Sequence, residues 1–442
     1  MRRFLFWLMV ITICAVLIGV LWFFFTTKTP TGTRVFTLPR NPFGTATNKP
    51  NNNNQNGAGT PQSTSTNPIT NPYPTSTETP FQILEKIWPK PVAGFSFVYI
   101  PILITSTSTD KKGREITIQT KATSSLLYFV EKETGNIYSK NLDTGSTTRI
   151  TNTTIPNVQD TFFLNSGRYV VMRTYNPQKK SIQTFISLVP QVLGTNDPLP
   201  LGRTIFLPEN ILSLTPSYDE KVLYYLVGQS KGSNLFSWSE ASGSIFMTSL
   251  PLKELLLSTS KGLLLATTKA SAFVKGYTLS LPLLTTIYGG RTGLTSNISS
   301  SGENILVSMW SSGGLLSFIH SLQTGKDRTL TMQTLAEKCA WDTTSSYMIC
   351  GASDYIAPTS YGLPDDWYQG EAHFKDSLFL IGVRVPSESK VFNLSDEAKE
   401  EIDLIHPVLT TSSSYLGFIN KNNDMLWLAR IGYILNQTSQ GQ

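Results

Sequence analysis

Short apolar runs alternate with turns rich in Ser, Thr, Gly and Asp along most of this chain. One turn-plus-strand signature recurs in copies that begin at Ser124, Asn165, Ser217, Thr259, Ser300, Thr343 and Thr411. The spacings between these starts are 41, 52, 42, 41, 43 and 68 residues. A period near 40 residues with strands and turns inside it is typical of the blades of a β-propeller.

Each copy follows the same order of strands and turns. A polar turn leads into an apolar strand, a second turn that contains Gly follows, and a further strand completes the copy, as in an antiparallel meander. We therefore predict an all-β fold, a β-propeller of seven blades, with six and eight blades as the alternatives. An open β-solenoid is the competing fold, but it would need capping elements at both ends, and the sequence offers none.

The ends of the repeat region carry weaker patterns. The last copy supplies two clear strands, Tyr415–Asn420 and Met425–Ile431. We expect residues 95–104 to complete this blade and close the ring, which would leave no long exposed edge. We also expect two short helices, one over 81–87 before Pro89 and one that Ser395 caps and that reaches about Leu404.

The N-terminus contains a long apolar segment. From Phe4 to Phe25 no residue is charged, and an α-helix of this length can cross a hydrocarbon core of about 30 Å. Arg2 and Arg3 precede it, so the positive-inside rule predicts a cytoplasmic N-terminus and an extracytoplasmic body. A cleaved signal peptide is the alternative, but no small-residue cleavage site follows the segment. We therefore predict a membrane anchor over residues 1–25, which contacts the membrane through residues 4–25.

Residues 26–80 are dominated by Thr, Asn, Pro, Ser and Gly. Such a segment buries too little apolar surface to offset the entropy of ordering, and we predict a disordered linker. As a flexible coil it would reach roughly 40 Å. The propeller domain is then predicted over residues 81–434, in a single-pass protein of the cell membrane.

The formal net charge of +6 is not spread evenly. Six of the 36 basic residues and one of the 30 acidic residues lie in residues 1–80, so the rest of the chain is almost neutral. A near-neutral body without a Lys/Arg-rich run lacks the basic footprint of a nucleic-acid-binding protein. We therefore expect no nucleic-acid partner.

Cys339 and Cys350 flank one of the recurrent turns. If residues 343–346 form the turn, the strand register places Cys339 directly opposite Cys350, close to disulfide distance. An extracytoplasmic body would favour oxidation. We predict a cross-strand disulfide here, with two buried thiols as the alternative.

The spacing of 68 residues marks an insertion at residues 354–376. It concentrates aromatic and acidic residues, and long loops that interrupt a repeat often carry function. Aromatic faces beside carboxylates can hold a sugar ring or a cationic peptide group. The candidate ligand-binding residues are Tyr355, Tyr361, Asp365, Asp366, Trp367, Tyr368, Glu371 and His373. The alternative is a lid in which Trp367 and Tyr368 pack onto the propeller, and no metal site is predicted because no recognised metal-binding loop motif is present.

The sequence contains none of the common catalytic signatures. It has no G-x-S-x-G elbow, no HExxH and no P-loop, so no catalytic residue and no cofactor is predicted. Two hypotheses remain. The first is a non-enzymatic scaffold that binds an envelope protein or glycan, and the second is an extracytoplasmic hydrolase or lyase with its site on the propeller axis or under the insertion.

The repeats resemble TolB-like and WD-repeat propellers. A closer similarity is to a family of bacterial membrane-anchored propellers, carried by Pro91–Gly94, Thr134–Tyr138, Thr151–Pro156, Lys338–Trp341, Tyr347–Cys350 and Pro364–Gly370. This resemblance implies an anchored propeller of the cell envelope and supplies no activity.

Overall fold

The computed structural model describes residues 82–109, 115–190, 197–311, 314–356 and 362–433. This part of the chain forms 28 strands arranged in seven four-stranded sheets. The predicted all-β, seven-bladed propeller is therefore confirmed. The predicted anchor and linker lie outside the described residues. Among those described, no helix has the length and apolar character needed to cross a membrane.

The described part of the chain begins with β1 (Leu84–Lys86) and then forms six blades of four consecutive strands each. The first three are blade 1, with β2 (Val92–Thr109), β3 (Glu115–Glu131), β4 (Ile137–Asn141) and β5 (Thr147–Arg149); blade 2, with β6 (Val158–Leu164), β7 (Tyr169–Asn176), β8 (Ser181–Leu188) and β9 (Thr204–Phe206); and blade 3, with β10 (Ile211–Pro216), β11 (Val222–Gln229), β12 (Gly232–Ser239) and β13 (Gly243–Leu250).

The next three are blade 4, with β14 (Leu255–Ser260), β15 (Leu263–Thr268), β16 (Lys275–Leu281) and β17 (Thr285–Thr292); blade 5, with β18 (Thr295–Ile298), β19 (Asn304–Ser311), β20 (Gly314–Ser321) and β21 (Asp327–Thr329); and blade 6, with β22 (Cys339–Trp341), β23 (Tyr347–Ser353), β24 (Asp376–Gly382) and β25 (Ser387–Asn393). Blade 7 contains β26 (Leu404–Leu409), β27 (Tyr415–Asn420) and β28 (Met425–Arg430).

The fourth strand of blade 7 comes from the other end of the described chain. β1 pairs antiparallel with β28, with Leu84 opposite Ala429. The helix predicted over 81–87 is therefore wrong, because the backbone of Leu84–Lys86 finds its hydrogen-bond partners in this distant strand. The expectation that residues 95–104 complete the last blade is also wrong, since they lie in the first strand of blade 1.

Alternating strand directions define two faces of the ring. The loops between second and third strands and the loops between blades lie on one face, which we call the insertion face because residues 354–356 and 362–375 belong to it. The loops between first and second strands lie on the opposite face. We call this the arm face, because the hairpin of β2 and β3 extends from it. The chain enters β1 and leaves β28 on the arm face.

The recurrent sequence signature forms the turns between first and second strands. Ser217 accepts a hydrogen bond from the amide of Val222 over 2.9 Å, and Asp342 accepts one from the amide of Tyr347 over 2.8 Å. Three residues after each of these acceptors, Glu220 and Ser345 adopt φ values of 58° and 56°. A short polar side chain that caps its own turn explains why Ser, Thr and Asp recur at this point.

Blade 1 departs from this pattern. Its first two strands pair continuously from Val92 opposite Glu131 to Thr109 opposite Glu115, whereas β4 pairs with β3 only at Leu126–Val130. A two-stranded ribbon therefore extends beyond the blade. The weak copy of the signature at Ser124 lies inside β3 and is not a turn.

The core lies between neighbouring blades. One cluster joins Val171 and Ile186 of blade 2 to Leu223 and Tyr225 of blade 3, and all four side chains are almost fully buried. Strands covered on both faces explain the continuous apolar runs in the sequence. The ring is held together by such inter-blade layers rather than by one central core.

The second predicted helix is shorter than expected. It spans Leu394–Ala398, and the side chain of Asn393, not Ser395, accepts hydrogen bonds from its first amides. The left-handed conformation of Lys399, with φ 57°, ends it well before Leu404. The hydroxyl of Ser395 instead accepts the amide of Ile402.

Candidate functional site

The described residues of the 354–376 insertion pack onto the insertion face. Its short α-helix, Asp365–Gln369, ends at Gly370, whose φ of 81° is a left-handed conformation that suits glycine. Leu363, Trp367 and Phe374 are buried against apolar residues of blade 5 and the loop that follows it. Trp367 therefore packs onto the ring as the lid alternative predicted.

A buried ionic cluster lies beneath the insertion. The Nζ of Lys338 is 2.7 Å from Oδ2 of Asp376 and also contacts Oδ1 of Asp403, and all three side chains are fully buried. Lys338 ends the 3-10 helix before β22, while Asp376 opens β24 and Asp403 directly precedes β26. The cluster thus joins the insertion to blades 6 and 7.

Each carboxylate of the cluster also accepts neutral donors. Oδ2 of Asp403 accepts the indole N–H of Trp367 over 2.9 Å and the amide of Phe374 over 3.2 Å. Oδ2 of Asp376 accepts the amide of Leu404 over 2.7 Å, while its Oδ1 is buried without a hydrogen-bond partner among the described residues. Buried charges that are paired and hydrogen-bonded in this way hold neighbouring elements in one geometry.

The environment of the cluster shifts two pKa values. Burial, together with the nearby Asp403 carboxylate and against the attraction of Lys338, raises the pKa of Asp376 to about 6. Burial lowers the pKa of Lys421, whose Nζ lies 5.1 Å from the centre of the Trp367 ring. Asp376 is sealed from solvent, so its raised pKa bears on stability rather than on contact with a substrate.

The remaining predicted site residues divide into engaged and exposed groups. Asp366 is buried, and Asp365 accepts the amide of Ala272 in the second loop of blade 4. The hydroxyl of Tyr368 donates to Glu337. Burial and the Glu337 carboxylate raise the pKa of Tyr368 well above its usual value, and burial also raises the pKa of Glu337.

Besides Tyr368, which is 37% exposed although its hydroxyl is engaged, three of the predicted residues are open to solvent. Tyr355, with 72% of its surface exposed, Glu371 and His373 project from the insertion. Tyr361 lies outside the described residues. In the described part of the chain, no group of three or more His, Cys, Asp or Glu side chains could hold a metal ion. The ligand-binding role of the eight residues remains a prediction.

The predicted disulfide is present in blade 6. Cys339 and Cys350 are directly opposed in the register of β22 and β23, with 4.1 Å between their Cα atoms and a covalent bond between their sulfur atoms. The bond links the strand that follows Lys338 to the strand that leads into the insertion. It therefore braces the part of the ring on which the insertion rests.

A charged pair also lies at the inner strands of blade 2. Asp160 in β6 lies 3.6 Å from Arg173, and burial raises its pKa against the opposing charges of His406 and Arg173. His406 lies at a bulge in β26 and has a φ of 51°. A carboxylate paired with an arginine differs from the two opposed carboxylates of glycoside hydrolysis.

Sequence reasoning missed the buried cluster. Its members are separated by as many as 65 residues in sequence, and nothing local distinguishes Asp403 from a surface acid. The one available signal was Lys338, a lysine that directly precedes the apolar residues Cys339–Trp341.

No protein-family model matches the chain, and no curated protein matches it either. Among solved structures, it is similar to the β-propeller domain of Cps50 (Swd1) from Myceliophteria thermophila, at 10% identity and a TM-score of 0.43 over 75% of this chain and 99% of that one. It is also similar to an oligogalacturonate lyase in complex with manganese, at 12% identity and a TM-score of 0.44 over 75% and 97%.

A third similar structure is a functionally unknown protein from Desulfotomaculum acetoxidans, at 12% identity and a TM-score of 0.45 over 68% of this chain and 91% of that one. Similarity at this level carries no argument about activity. The resemblance to membrane-anchored bacterial propellers stays a prediction, and the chain is described by its own geometry as a seven-bladed propeller with a packed insertion.

Proposed function

We propose that this protein is a membrane-anchored, extracytoplasmic scaffold that binds an envelope protein or glycan through its insertion face. The observation that carries the proposal is the way in which the insertion is held. Its buried half is fixed by Trp367 and the Lys338 cluster, while Tyr355, Glu371 and His373 are exposed. A rigid support with exposed aromatic and charged groups suits a binding surface, because little ordering entropy is lost on association.

The proposed location rests on two features. The apolar segment at residues 4–25 is long enough to span a bilayer and follows two arginines. The disulfide between Cys339 and Cys350 supports an oxidising compartment, since such bonds are rare in the cytosol. Both features favour a propeller on the outer side of the membrane.

The alternative, a hydrolase or lyase, needs accessible catalytic groups. Asp376 and Asp403, the carboxylates under the insertion, are fully buried and share one lysine. Groups in such an environment hold elements together and do not meet a substrate. This contrast favours binding over catalysis at the insertion.

Chemical cross-linking in membranes of the cell that makes the protein, followed by capture of the full chain, tests the proposal. The variant combines Tyr355→Ser, Glu371→Lys and His373→Ala, which remove exposed groups and spare the buried contacts. We expect the cross-linked partner to fall at least tenfold, a loss of the size seen when an interface anchor is removed.

A matched variant on the arm face supplies the control. It combines Tyr218→Ser, Glu303→Lys and Lys261→Ala, three exposed residues at turns between first and second strands. This variant should capture the partner as the unmodified chain does. Equal capture by both variants, with unchanged thermal unfolding, would remove the insertion from the binding surface.

A further inference from the structure

An apolar cavity opens on the insertion face beside the insertion. It measures about 680 Å³ and lies between the loop that joins blades 3 and 4 and the second loop of blade 4. Leu252, Val274 and Tyr277 line it, and Asp365 of the insertion forms part of its wall. This volume falls in the range of sites that enclose small molecules or peptide side chains.

The apolar surface continues beyond the cavity. Val274 is 63% exposed and its neighbour Phe273 is 69% exposed, and Leu252 and Tyr277 are exposed as well. Single exposed apolar residues are normal on a protein surface, but a group of four around one cavity marks an interaction site. Aromatic and aliphatic side chains around a pocket are typical of the centre of a protein interface.

The charges at the rim show which kind of partner fits. Its two acids are engaged, since Glu254 lies 3.8 Å from Lys269 and Asp365 accepts the amide of Ala272. Lys253 and Lys275 also line the cavity, and neither forms an ion pair with any of the described residues. With three lysines against these two acids, the rim carries a net positive charge of one around an apolar centre.

We propose that this cavity receives an apolar side chain of an acidic peptide segment, whose carboxylates pair with Lys253 and Lys275. The inference rests on the proposed function and names the chemistry of the partner at a second part of the same face. The extent of the apolar surface favours a peptide over a free lipid. The exposed side chains of Phe273 and Val274 continue the apolar surface outside the cavity, where a peptide can contact them and an acyl chain enclosed in the cavity cannot.

Fluorescence anisotropy with defined probes tests this inference. The full chain is placed in phosphatidylcholine nanodiscs, which avoid detergent in the cavity, and titrated into a labelled hexapeptide of two leucines between pairs of glutamates. The same peptide with lysines in place of glutamates, and one with serines in place of leucines, are the ligand controls. We expect the acidic leucine peptide to bind at least tenfold more tightly than either control.

Two variants of residues that line the cavity test whether the peptide binds there. Lys253→Glu with Lys275→Glu should lower the affinity for the acidic peptide at least tenfold and raise the affinity for the lysine peptide. Val274→Asp should lower the affinity for both peptides. A matched pair on the arm face, Lys261→Glu with Lys326→Glu, has the same change in charge and should leave binding unchanged.

Several results would overturn the inference. The first is equal affinity for the three peptides, and the second is an equal loss of peptide affinity in the arm-face pair. The third is displacement of the labelled peptide by dodecanoate at a lower concentration than by unlabelled peptide. The last result would assign the cavity to an anionic lipid. If the cavity variants change nothing while the Tyr355, Glu371 and His373 variant abolishes partner capture, the cavity assignment fails and the proposed function stands.

Discussion

The indole N–H of Trp367 donates to Oδ2 of Asp403 over 2.9 Å in a fully buried environment. Trp367 belongs to the insertion and Asp403 to the entry of blade 7, so this bond joins the irregular segment to the regular ring. The same carboxylate contacts Lys338, which also pairs with Asp376. The insertion is therefore an integral part of the propeller face.

Replacement of Lys338 by methionine should destabilise the ring strongly. The substitution leaves Asp376 and Asp403 buried without their cation, and the loss of one partner of a buried ion pair costs about 3–5 kcal/mol. The free energy of unfolding from urea denaturation measures the loss. Lys179→Met is the control, because Lys179 pairs with Glu209 at the surface and should change stability by less than about 1 kcal/mol. Equal effects of the two variants would contradict the importance of the cluster.

The stability of the ring should depend on the titration of Asp376. Its pKa is about 6 in the folded protein against 3.8 for the unperturbed group, so the folded state holds the proton more tightly. The resulting stabilisation is present below pH 4 and is lost as the pH rises to 6, by about 3 kcal/mol at most. Urea denaturation of the unmodified chain and of Asp376→Asn across this pH range measures the contribution of Asp376 to the free energy of unfolding.

The critical result is the direction in which the difference in unfolding free energy between the unmodified chain and Asp376→Asn changes with pH. Relative to Asp376→Asn, the unmodified chain should lose stability between pH 4 and pH 6. Asp219 is the control, because its hydrogen bond with Ser217 lowers its pKa at the surface, so Asp219→Asn should produce a much smaller effect of opposite sign. A constant difference between the unmodified chain and Asp376→Asn would contradict the raised pKa.

Because β1 closes the ring, we expect N-terminal truncation to leave thermal stability unchanged until it reaches β1. A chain that lacks residues 1–77 keeps Leu84–Lys86 and should unfold at the same temperature as the full chain. Leu84→Asp places a charge in the buried seam next to β28, and burial of an unpaired charge should lower stability by several kcal/mol. Thermal unfolding followed by circular dichroism measures both. An unchanged melting temperature for Leu84→Asp would mean that β1 does not close the ring.

The disulfide predicts a simple alkylation pattern. The chain has three cysteines, and Cys339 and Cys350 are bonded to each other. Iodoacetamide under denaturing, non-reducing conditions should therefore modify Cys14 alone, and all three residues should react after reduction. Intact mass measures the number of adducts. Three adducts without reduction would contradict the bond.

The repeat and the disulfide could be predicted because their causes are local. The turns are capped within five residues by side chains such as Ser217 and Asp342, and the register between Cys339 and Cys350 follows from one short turn. The role of Leu84–Lys86 could not be predicted in this way. A three-residue strand has no periodicity, and its partner lies at the other end of the chain.

The candidate site, too, could be predicted from the sequence only where its features have local causes. Its aromatic and acidic composition was visible in the sequence, and so was the excess length of the loop. Which residues are buried depends on contacts with distant elements, such as Asp403 for Trp367 and Ala272 for Asp365. Only the folded ring separates the anchoring residues from the exposed ones.

Site-specific photo-cross-linking distinguishes binding through the insertion face from binding through the arm face. Tyr355 on the insertion face and Tyr218 on the arm face, both exposed tyrosines, are replaced in turn by benzoylphenylalanine in the full chain, and the cells that make the protein are irradiated. We expect a discrete adduct with an envelope protein or glycan from position 355 and none from position 218. An adduct from position 218 alone, or the same adduct from both positions, would contradict binding through the insertion face.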